Sequence, residues 1–521
     1  MSPARWRSGS PAVRAAVERW LAGAPGAPEA RVLHDNPRRR LVALRDREAG
    51  ALLVKQFRLG SGRHRARDAW KARLGASPAR REERALRALH AAKVPVAEPL
   101  GRARLPDGDA ILVLRYLPGV PLVEALAAPA RARRALLAAL GAAVAALHRA
   151  GWIHGDLHAG NVWVTESGPA LLDLQHARAR SAPSARAADL GWLDYSLWPH
   201  ASAAERVRVR AAALGLARPF DAAAREALRA AGAAALARAA DHARSRTRRA
   251  LRPGRTAAAV RLGARRGLRA RVLPEAELAR LLDAHAAADG ASVWKEDARG
   301  RITALAQDGL RVVVKEVRAR GAARALADRV RGSAGRRAFG AAHGLRARGV
   351  GAPAPLAYVE ERRFGLPVRS WIVLEDLRPA PDGLEAACAA PDAALAAFAR
   401  LLVRLHRRGV DHGDLKCTNL HLVGPAREAY VVDLEGVRFR ALSDGARLAA
   451  LAQLNASLPD DVPAAPRRRA FARYAAALPF ARGGDAALRE VVARSLARRH
   501  RWTGAGCRLA EAAGPPAPSD A

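Results

Sequence analysis

The sequence has 521 residues, of which 50% are hydrophobic, and a formal net charge of +40 at pH 7. This length suffices for two or three domains with buried cores. The three cysteines (Cys388, Cys417 and Cys507) are too few for a disulfide framework and lack metal-ligand spacing, which favours a reducing, cytoplasmic compartment. We expect no membrane span and no signal peptide, because no apolar run reaches about 18 residues and the N-terminal segment lacks an apolar core.

The positive charge predicts affinity for anions such as nucleic acid, acidic lipid or phosphorylated glycan. Arginine is dense along the whole chain, so compositional drift explains the charge equally well. The densest run, residues 244–271, is the best candidate for a binding patch and for peripheral contact with an anionic membrane. Nucleic acid is disfavoured as a partner, because this run has no interleaved aromatic residues and no zinc-finger or RNP-like spacing.

The predicted elements follow the same order in the two halves of the chain. Apolar runs at 51–57 and 110–117 predict strands in the first half, and a helical pattern follows at 131–150. The second half repeats this order at 311–317, 370–377 and near 391–408. Turn-rich segments, LPG and RPAPDG, follow the second strand of each half. The order predicts an α+β chain in which a small sheet-bearing lobe precedes a larger helical lobe, twice.

One fifteen-residue pattern, L-H-R-x-G-x-x-H-G-D-L-x-x-x-N, occurs in both halves and ends at Asn161 and at Asn419. In a protein-kinase catalytic loop, an Asp accepts the proton of the attacking hydroxyl, and an Asn five residues later binds magnesium. Asp156 and Asp414 occupy the Asp positions of the two copies. The pattern therefore predicts two sites for phosphotransfer from ATP with Mg²⁺.

Each half also has a second candidate metal ligand and a candidate phosphate-binding lysine. Asp173 and Asp433 follow apolar strands downstream of the two Asn residues. Lys55 and Lys315 lie in the apolar strands ALLVKQF and RVVVKEV, at similar distances upstream of the catalytic Asp. Because Arg replaces Lys almost everywhere else in this chain, a Lys here indicates a chemical requirement for a compact point charge.

Both halves resemble the protein-kinase-like superfamily and, more narrowly, the bacterial lipopolysaccharide kinases of the Kdo/WaaP and InaA-like group. The segments that carry this resemblance are PARREERALRALHAAKVPVAEPLG at 78–101, HGDLKCTNLHLV at 412–423 and YVVDLEGVRF at 430–439. The resemblance implies two tandem bilobal kinase-like domains, which we place at 1–270 and 271–509, with a disordered tail at 510–521. It implies a sugar hydroxyl of the lipopolysaccharide core as the phosphate acceptor, at the cytoplasmic face of the membrane.

The sequence departs from the kinase pattern in several places. Neither half has a G-x-G-x-x-G loop; segments 34–42 and 295–305 stand there, and a tighter polar turn is expected. No A-P-E segment follows either metal Asp, which argues against an ordinary protein kinase. In the first half, Glu82 or its neighbour Glu83 is expected to pair with Lys55 and help bind the nucleotide.

The second half aligns Ala338 with Glu82, and Ala450 with Asp189, the residue expected to brace the first catalytic loop. We therefore expect Lys315 to lack the glutamate that would pair with it. The first half is predicted to be chemically complete, and the second weakened but competent to bind metal.

Other motif residues have structural or accessory roles in this prediction. His154 and His412 are expected to support the loops through hydrogen bonds and not to act as acid–base groups. Lys416 stands where it could contact the transferred phosphate, and His158 takes that place in the first half. Cys417 is expected to be inert.

Three functional hypotheses remain open from the sequence. The first is an ATP-dependent kinase acting on the lipopolysaccharide core. The second is phosphorylation of protein Ser/Thr or of a small molecule. The third is a tandem pseudokinase that binds nucleotide as a scaffold, which the nearly complete sets of catalytic residues disfavour.

Overall fold

The computed structural model describes residues 4–58, 77–180, 182–319 and 321–498. The tail predicted at 510–521 lies outside these residues. The chain divides into two compact units, Met1–Ala239 and Ala240–Ala521.

The first unit contains eleven strands among its described residues. They are β1 (Arg5–Gly9), β2 (Glu29–Asn36), β3 (Arg39–Asp46), β4 (Gly50–Phe57), β5 (Pro99–Arg104), β6 (Ala110–Arg115), β7 (Val120–Pro121), β8 (Trp152–Ile153), β9 (Val162–Thr165), β10 (Gly168–Leu171) and β11 (Arg178–Ala179). Its described helices are α1 (Pro11–Ala22), α2 (Pro78–Ala91), α3 (Leu122–Ala125), α4 (Ala130–Arg149), α5 (Pro183–Ser196), α6 (Ala203–Ala213) and α7 (Ala222–Ala250), the last of which ends beyond the division.

The second unit repeats this organisation. Its described strands are β12 (Ala257–Leu262), β13 (Arg265–Ala270), β14 (Val293–Asp297), β15 (Gly300–Gln307), β16 (Leu310–Arg318), β17 (Pro355–Arg363), β18 (Leu366–Glu375), β19 (Val410–Asp411), β20 (Leu420–Val423), β21 (Glu428–Val431) and β22 (Arg438–Phe439). Its described helices are α8 (Glu275–Ala287), α9 (Gly321–Arg331), α10 (Ala334–Ala347), α11 (Gly383–Ala389), α12 (Pro391–Arg407), α13 (Asp444–Ala456), α14 (Ala464–Ala477) and α15 (Gly484–Leu496).

The predicted domain boundary at residue 270 differs from this division. Strands β12 and β13 form a hairpin, and β13 pairs with β17, so both belong to the second sheet. The basic run 244–271 therefore comprises the end of α7 and this hairpin, and it is not the C-terminal part of the first unit.

The two main sheets share one antiparallel arrangement. The first has the strand order β1-β5-β6-β4-β3-β2, and the second has the order β12-β13-β17-β18-β16-β15-β14. The lysine strands β4 and β16 are interior strands in both, with Lys55 opposite Leu112 and Lys315 opposite Ile372. The predicted α+β class with two repeated sheet-and-helix segments is confirmed.

Alternation along the lysine strands directs each lysine away from the outer helix of its sheet. Leu52 and Val54 are fully buried in a cluster with residues of α1. Val312 and Val314 are buried in a corresponding cluster with residues of α8. Because successive side chains of a strand point to opposite faces, Lys55 and Lys315 project from the other face.

The long helix before each catalytic loop buries an apolar stripe in its helical lobe. Leu137, Leu140, Val144 and Leu147 of α4 are all fully buried, at the spacing of one helix face. A Cβ at Gly141 would lie 2.5 Å from the Cβ of Ala212, so the glycine permits close packing against α6. This packing fixes the end of α4, from which the catalytic loop follows. No helix in the described segments has the length and apolar character needed to cross a membrane.

Candidate active site

A buried ion-pair network surrounds Lys55 in the first unit. Its Nζ lies 2.6 and 2.8 Å from the two carboxylate oxygens of Glu82, and 3.0 Å from Oδ1 of Asp173. Lys55 is 4% exposed and Glu82 1% exposed. Helix α2 carries Glu82 and begins at Pro78, where the Ser77 side chain accepts a hydrogen bond from the backbone of Arg80.

Glu83, the neighbouring carboxylate, has a separate set of partners. It binds the Ser8 hydroxyl at 2.5 Å and Arg102 Nε at 2.6 Å. Although burial opposes the change, these hydrogen bonds hold the pKa of Glu83 below its usual value. Glu83 therefore anchors α2 to β1 and β5, and Glu82 is the carboxylate that faces the lysine.

Asp173 combines an unusual backbone conformation with two cationic neighbours. Its φ of 61° lies in the left-handed region, and Asp433 repeats this with a φ of 59°. Strain of this kind at a non-glycine residue is concentrated at functional sites. Burial alone would raise the pKa of Asp173, but Lys55 and Arg39 outweigh it and lower the pKa to about 2. The side chain is thus an anionic oxygen donor at neutral pH.

The polar turns expected in place of a glycine-rich loop are present in both units. Between β2 and β3, Asn36 Oδ1 accepts hydrogen bonds from the backbone of Arg38 and Arg39 at 2.8 and 2.9 Å. Between β14 and β15, Asp297 plays the same part for Arg299 and Gly300. In the first unit this turn also directs Arg39 Nη1 to Asp173 Oδ2 at 2.9 Å.

The catalytic loop of the first unit presents Asp156 at the surface. Its side chain is 37% exposed, and its Oδ1 accepts a hydrogen bond of 2.9 Å from Trp192 Nε1. Asn161 Nδ2 donates to the Asp156 carbonyl oxygen at 2.9 Å, which leaves the Asn161 amide oxygen as the atom that can bind a cation. His158 Nε2 lies 3.9 Å from Asp156 Oδ2. An acceptor hydroxyl can therefore approach Asp156, whereas Lys55 is enclosed.

Asp189 stabilises the backbone of this loop through hydrogen bonds. Its two carboxylate oxygens accept hydrogen bonds from the backbone N–H groups of His154 and Gly155, at 2.5 and 2.9 Å. The His154 ring contacts the Leu172 carbonyl oxygen at 2.9 Å, and burial lowers the pKa of this histidine. His154 is thus a buried connection between the loop and the segment that carries Asp173.

In the second unit, the expectation that Lys315 lacks a paired glutamate was wrong. Its Nζ lies 2.6 Å from Asp433 Oδ1 and 2.9 Å from Oε2 of Glu435, a residue of the same DLEG segment. Ala338, which aligns with Glu82, is buried on α10. Burial raises the pKa of Glu435 to about 6, although Lys315 opposes this change. Burial alone would raise the pKa of Asp433, but hydrogen bonding to Glu435 and the charge of Lys315 outweigh it and lower the pKa to about 2.

The second catalytic loop retains most contacts of the first. Asn419 Nδ2 donates to the Asp414 carbonyl oxygen at 2.8 Å, and Gln453 Nε2 donates to Asp414 Oδ1 at 2.5 Å, where Trp192 donates in the first unit. Lys416 Nζ lies 3.0 Å from Asp414 Oδ2. Its ammonium group is therefore beside the carboxylate that would face an acceptor.

The second loop has Ala450 at the position of Asp189, which braces the first loop. No carboxylate can come from Ala450. Among the hydrogen bonds of the described residues, the Gly413 N–H donates to Asp411 Oδ1 at 3.2 Å, and the His412 N–H has no side-chain acceptor. The His412 ring contacts the Val432 carbonyl oxygen at 2.9 Å, as His154 contacts Leu172, and burial lowers the pKa of His412 as well. Cys417 is buried, its Sγ contacts the Ser457 carbonyl oxygen, and burial raises the pKa of the thiol.

The candidate metal ligands are held next to one another in both units. The backbone N–H of Leu172, which precedes Asp173, donates to the Asn161 carbonyl oxygen at 2.9 Å, and Val432 does the same for Asn419. Magnesium is commonly bound by one or two protein oxygens together with substrate phosphates. In the described segments no cluster of three or more His, Cys, Asp or Glu side chains could hold a metal alone. An amide oxygen and an ionised carboxylate therefore fit a magnesium ion that is shared with nucleotide phosphates.

Sequence reasoning missed four contributors to these sites: Arg39, Trp192, Gln453 and Glu435. Trp192 and Gln453 occupy equivalent positions in the aligned segments DLGWLDYSL and ALAQLNASL. That alignment could have shown that a side-chain donor faces the catalytic Asp in each unit. Glu435 is part of the DLEG segment, whereas the kinase pattern places the partner of the lysine on a helix.

The amino-acid sequence matches the model of a known protein family. The family described as "Lipopolysaccharide kinase (Kdo/WaaP) family" matches residues 27–211 and 287–473, which together make up more than half of the chain. The chain belongs to this family. It is therefore an ATP-dependent phosphotransferase with two family segments in tandem.

Two solved structures match parts of the chain. One, titled "WaaP in complex with acyl carrier protein", is 24% identical and covers 41% of this chain and 91% of its own, with a TM-score of 0.31. The other is a point mutant of the PknI kinase domain of Mycobacterium tuberculosis, which is 18% identical and covers 37% and 76%, with a TM-score of 0.24. No curated protein sequence matches the chain.

Proposed function

We propose that this kinase transfers the γ-phosphoryl group of ATP to a sugar hydroxyl of the lipopolysaccharide core, with the first unit as the principal catalytic site. The observation that carries the proposal is that one unit holds both the buried network of Lys55, Glu82 and Asp173 and the partly exposed carboxylate of Asp156. Family membership supports lipopolysaccharide as the class of acceptor.

Asp156 is the proton acceptor in this proposal. Because Trp192 donates to Oδ1, the other oxygen, Oδ2, is available to the acceptor hydroxyl. The hydroxyl oxygen forms a bond to the γ-phosphorus, the bond from that phosphorus to the β,γ-bridging oxygen breaks, and ADP leaves. The hydroxyl proton passes to Asp156.

Lys55 would bind the nucleotide phosphates, and Glu82 holds its ammonium group in place. Asn161 and Asp173 would hold magnesium, which when bound neutralises charge on the phosphates. The protein supplies mainly positioning and electrostatic stabilisation, which phosphoryl transfer requires more than covalent catalysis.

Transfer of ³²P from γ-labelled ATP to purified lipopolysaccharide core tests this proposal. The expected result is Mg²⁺-dependent labelling of the core that is lost in Asp156→Asn and kept in Asp283→Asn, an exposed carboxylate on α8. Labelling of added protein or of a small molecule in place of the core would assign a different acceptor. Absence of transfer to any acceptor, with nucleotide still bound, would favour a scaffold.

The proposed place of action is the cytoplasmic face of an anionic membrane. The basic run supports this, because several of its arginines, including Arg246, Arg248 and Arg255, are exposed. Others have structural contacts: Arg265 lies over the Trp371 ring, and Arg271 donates to the Gly254 carbonyl oxygen. Each exposed arginine near an anionic surface contributes about 1 kcal/mol, which salt screens.

Binding to vesicles of anionic or neutral lipid tests this placement. Binding to anionic vesicles should fall steeply with salt, and the triple variant Arg246→Gln/Arg248→Gln/Arg255→Gln should bind more weakly. The control triple is Arg468→Gln/Arg473→Gln/Arg489→Gln, which removes equally exposed arginines elsewhere. Equal weakening by both triples would show that the charge acts only as a general property of the composition.

A further inference from the structure

The partner of the phosphate-binding lysine comes from a different structural element in each unit. In the first unit it is Glu82 on α2, and in the second it is Glu435, two residues after Asp433. Gln175 stands two residues after Asp173, and Ala338 aligns with Glu82. The carboxylate and the uncharged side chain have thus exchanged positions between the helix and the turn.

Helix α10 lies close to its neighbours, and small residues make this possible. A Cβ at Gly335 would lie 2.7 Å from the Trp371 carbonyl oxygen, and one at Gly344 would overlap the Phe439 ring. Ala338 is 2% exposed in the core beside them. The second unit therefore tolerates only a small side chain on this helix face while Glu435 occupies the space beside Lys315.

The segment that carries Glu435 is itself firmly held. The Asp433 backbone is in the left-handed conformation, the Val432 N–H donates to the Asn419 carbonyl oxygen at 2.9 Å, and the Val432 carbonyl oxygen contacts the His412 ring at 2.9 Å. Glu435 thus lies on a rigid turn beside the candidate metal ligand. Its side chain can fix the lysine without help from a helix.

We propose that Glu435 is the positioning residue of Lys315, and that it makes the second unit a nucleotide site whose lysine takes its partner from the turn after Asp433 and not from α10. This inference rests on the proposed function, since it assumes that each unit binds Mg-ATP through its lysine. Displacement of α2 would separate Glu82 from Lys55, whereas the Lys315–Glu435 pair joins a strand to a turn and includes no residue of α10. The first lysine thus takes its partner from a helix, and the second takes it from the turn that carries the candidate metal ligand.

Photolabelling of the full chain by 8-azido-ATP with Mg²⁺, followed by peptide mapping, reports binding at each unit separately. Wild type should be labelled in both units. Glu435→Gln should shift the half-labelling concentration of the second unit upward by about tenfold, because it removes the carboxylate charge and leaves at most a weaker, neutral acceptor for the ammonium group. Labelling of the first unit, the internal control, should not change.

Moving the carboxylate from the turn to the helix tests whether Glu435 positions Lys315 or only supports the fold. Glu435→Ala/Ala338→Glu, in which loss of the Glu435 side chain makes room for a carboxylate on α10 as in the first unit, should restore the labelling lost in Glu435→Ala to within about threefold of wild type. The matching experiment in the first unit compares the labelling of Glu82→Ala with that of Glu82→Ala/Gln175→Glu. Glu435→Asp, which keeps the charge, covers the case in which Glu435→Gln unfolds in a thermal melt, and it should retain measurable labelling.

The outcomes separate this inference from the proposed function. Unchanged labelling of the second unit in Glu435→Gln, or no labelling of that unit in wild type while the first is labelled, would overturn the inference alone. No labelling of either unit in wild type would overturn the proposed function as well.

Discussion

The two lysine sites differ in charge balance although their folds are alike. In the first unit, Lys55 and Arg39 face Glu82 and Asp173, so two cations meet two anions. In the second, Lys315 faces Asp433 and Glu435, so among the contacts of the described residues one cation meets two anions. A catalytic arrangement can therefore keep its lysine in place while the elements that supply its partners change.

A backbone constraint explains why the second unit has no counterpart of Arg39. Gly300 stands at the corresponding position of the β14–β15 turn, with a φ of 156°. A Cβ there would overlap the Glu316 carbonyl oxygen, so no side chain fits. Burial is the main cause of the raised pKa of Glu435, and the neighbouring Asp433 adds to it.

Replacement of Lys55 is expected to reduce phosphate transfer more than the other substitutions considered below. Lys55→Met removes the phosphate contact and leaves Glu82 and Asp173 without their shared cation, so transfer should fall by about 10²- to 10³-fold. Lys315→Met should cost less, since the second catalytic loop is less well braced. Initial rates of transfer check both, with Lys93→Met, at an exposed lysine outside both sites, as the control. Equal losses at the two lysines would remove the distinction between the units.

Replacement of Asp189, which braces the first loop, is expected to have the next largest effect on phosphate transfer. Asp189→Ala leaves the N–H groups of His154 and Gly155 without their acceptor, and transfer should fall by about 10- to 30-fold, mainly in kcat. The natural Ala450 shows that the fold itself can form without such a carboxylate. Wild-type kcat in Asp189→Ala would show that the brace has no catalytic importance.

Asp156 and Asp414 each accept a hydrogen bond from a side chain, and removing the two donors provides a third comparison of the units. Trp192→Phe removes the hydrogen bond to Asp156 Oδ1 and keeps the ring over which Arg238 lies, 3.9 Å from its centre. Because Asp156 is partly exposed, kcat should fall by only about three- to tenfold. Gln453→Leu is the matched variant in the second unit and should have a smaller effect on total transfer. A larger loss in Gln453→Leu would reverse the assignment.

The smallest expected effect concerns acid stability. Burial, with Arg447 adding to it, holds the pKa of His406 at about 4, and its ring contacts the Tyr474 hydroxyl. The unfolded chain binds this proton with a pKa near 6.5, so this stability is present above about pH 6.5 and is lost as pH falls towards 4. At pH 5 the loss should reach about 2 kcal/mol.

Hydrogen exchange of helix α12, corrected for intrinsic rates, measures this loss. His406→Phe should reduce the difference in opening free energy between pH 7 and pH 5, whereas His148→Phe, at the matching position of the first unit, should leave it unchanged in α12. The same pH dependence in wild type and His406→Phe would contradict the role of this histidine.

The sequence predicted the repeated parts of the molecule well. Strands β4, β6, β16 and β18 and helices α4 and α12 lie where hydrophobic patterns placed them, because these elements bury regular apolar faces. The ion pair between Lys55 and Glu82 followed from kinase-like spacing. Such features depend on periodicity or on fixed distances within one motif.

The contacts that the sequence did not reveal depend on tertiary geometry. Arg39 reaches Asp173 across 134 residues of chain, and its role arises from the turn that Asn36 forms. Glu435 was read as part of a motif and not as a lysine partner, because the kinase pattern places that partner on a helix. The basic composition of 244–271 likewise gave no sign of the hairpin there, which pairs with β17 through contacts distant in sequence.

The measurement that tests the central claim most directly compares Asp156→Asn with Asp414→Asn in transfer of phosphate to lipopolysaccharide core. Both substitutions remove a proton acceptor and keep the side-chain shape. Asp156→Asn should lower kcat by at least about 10²-fold, and Asp414→Asn should leave most of the transfer intact. If Asp414→Asn abolished transfer while Asp156→Asn preserved it, the second unit would be the principal catalytic site, and the account given for the first would be wrong.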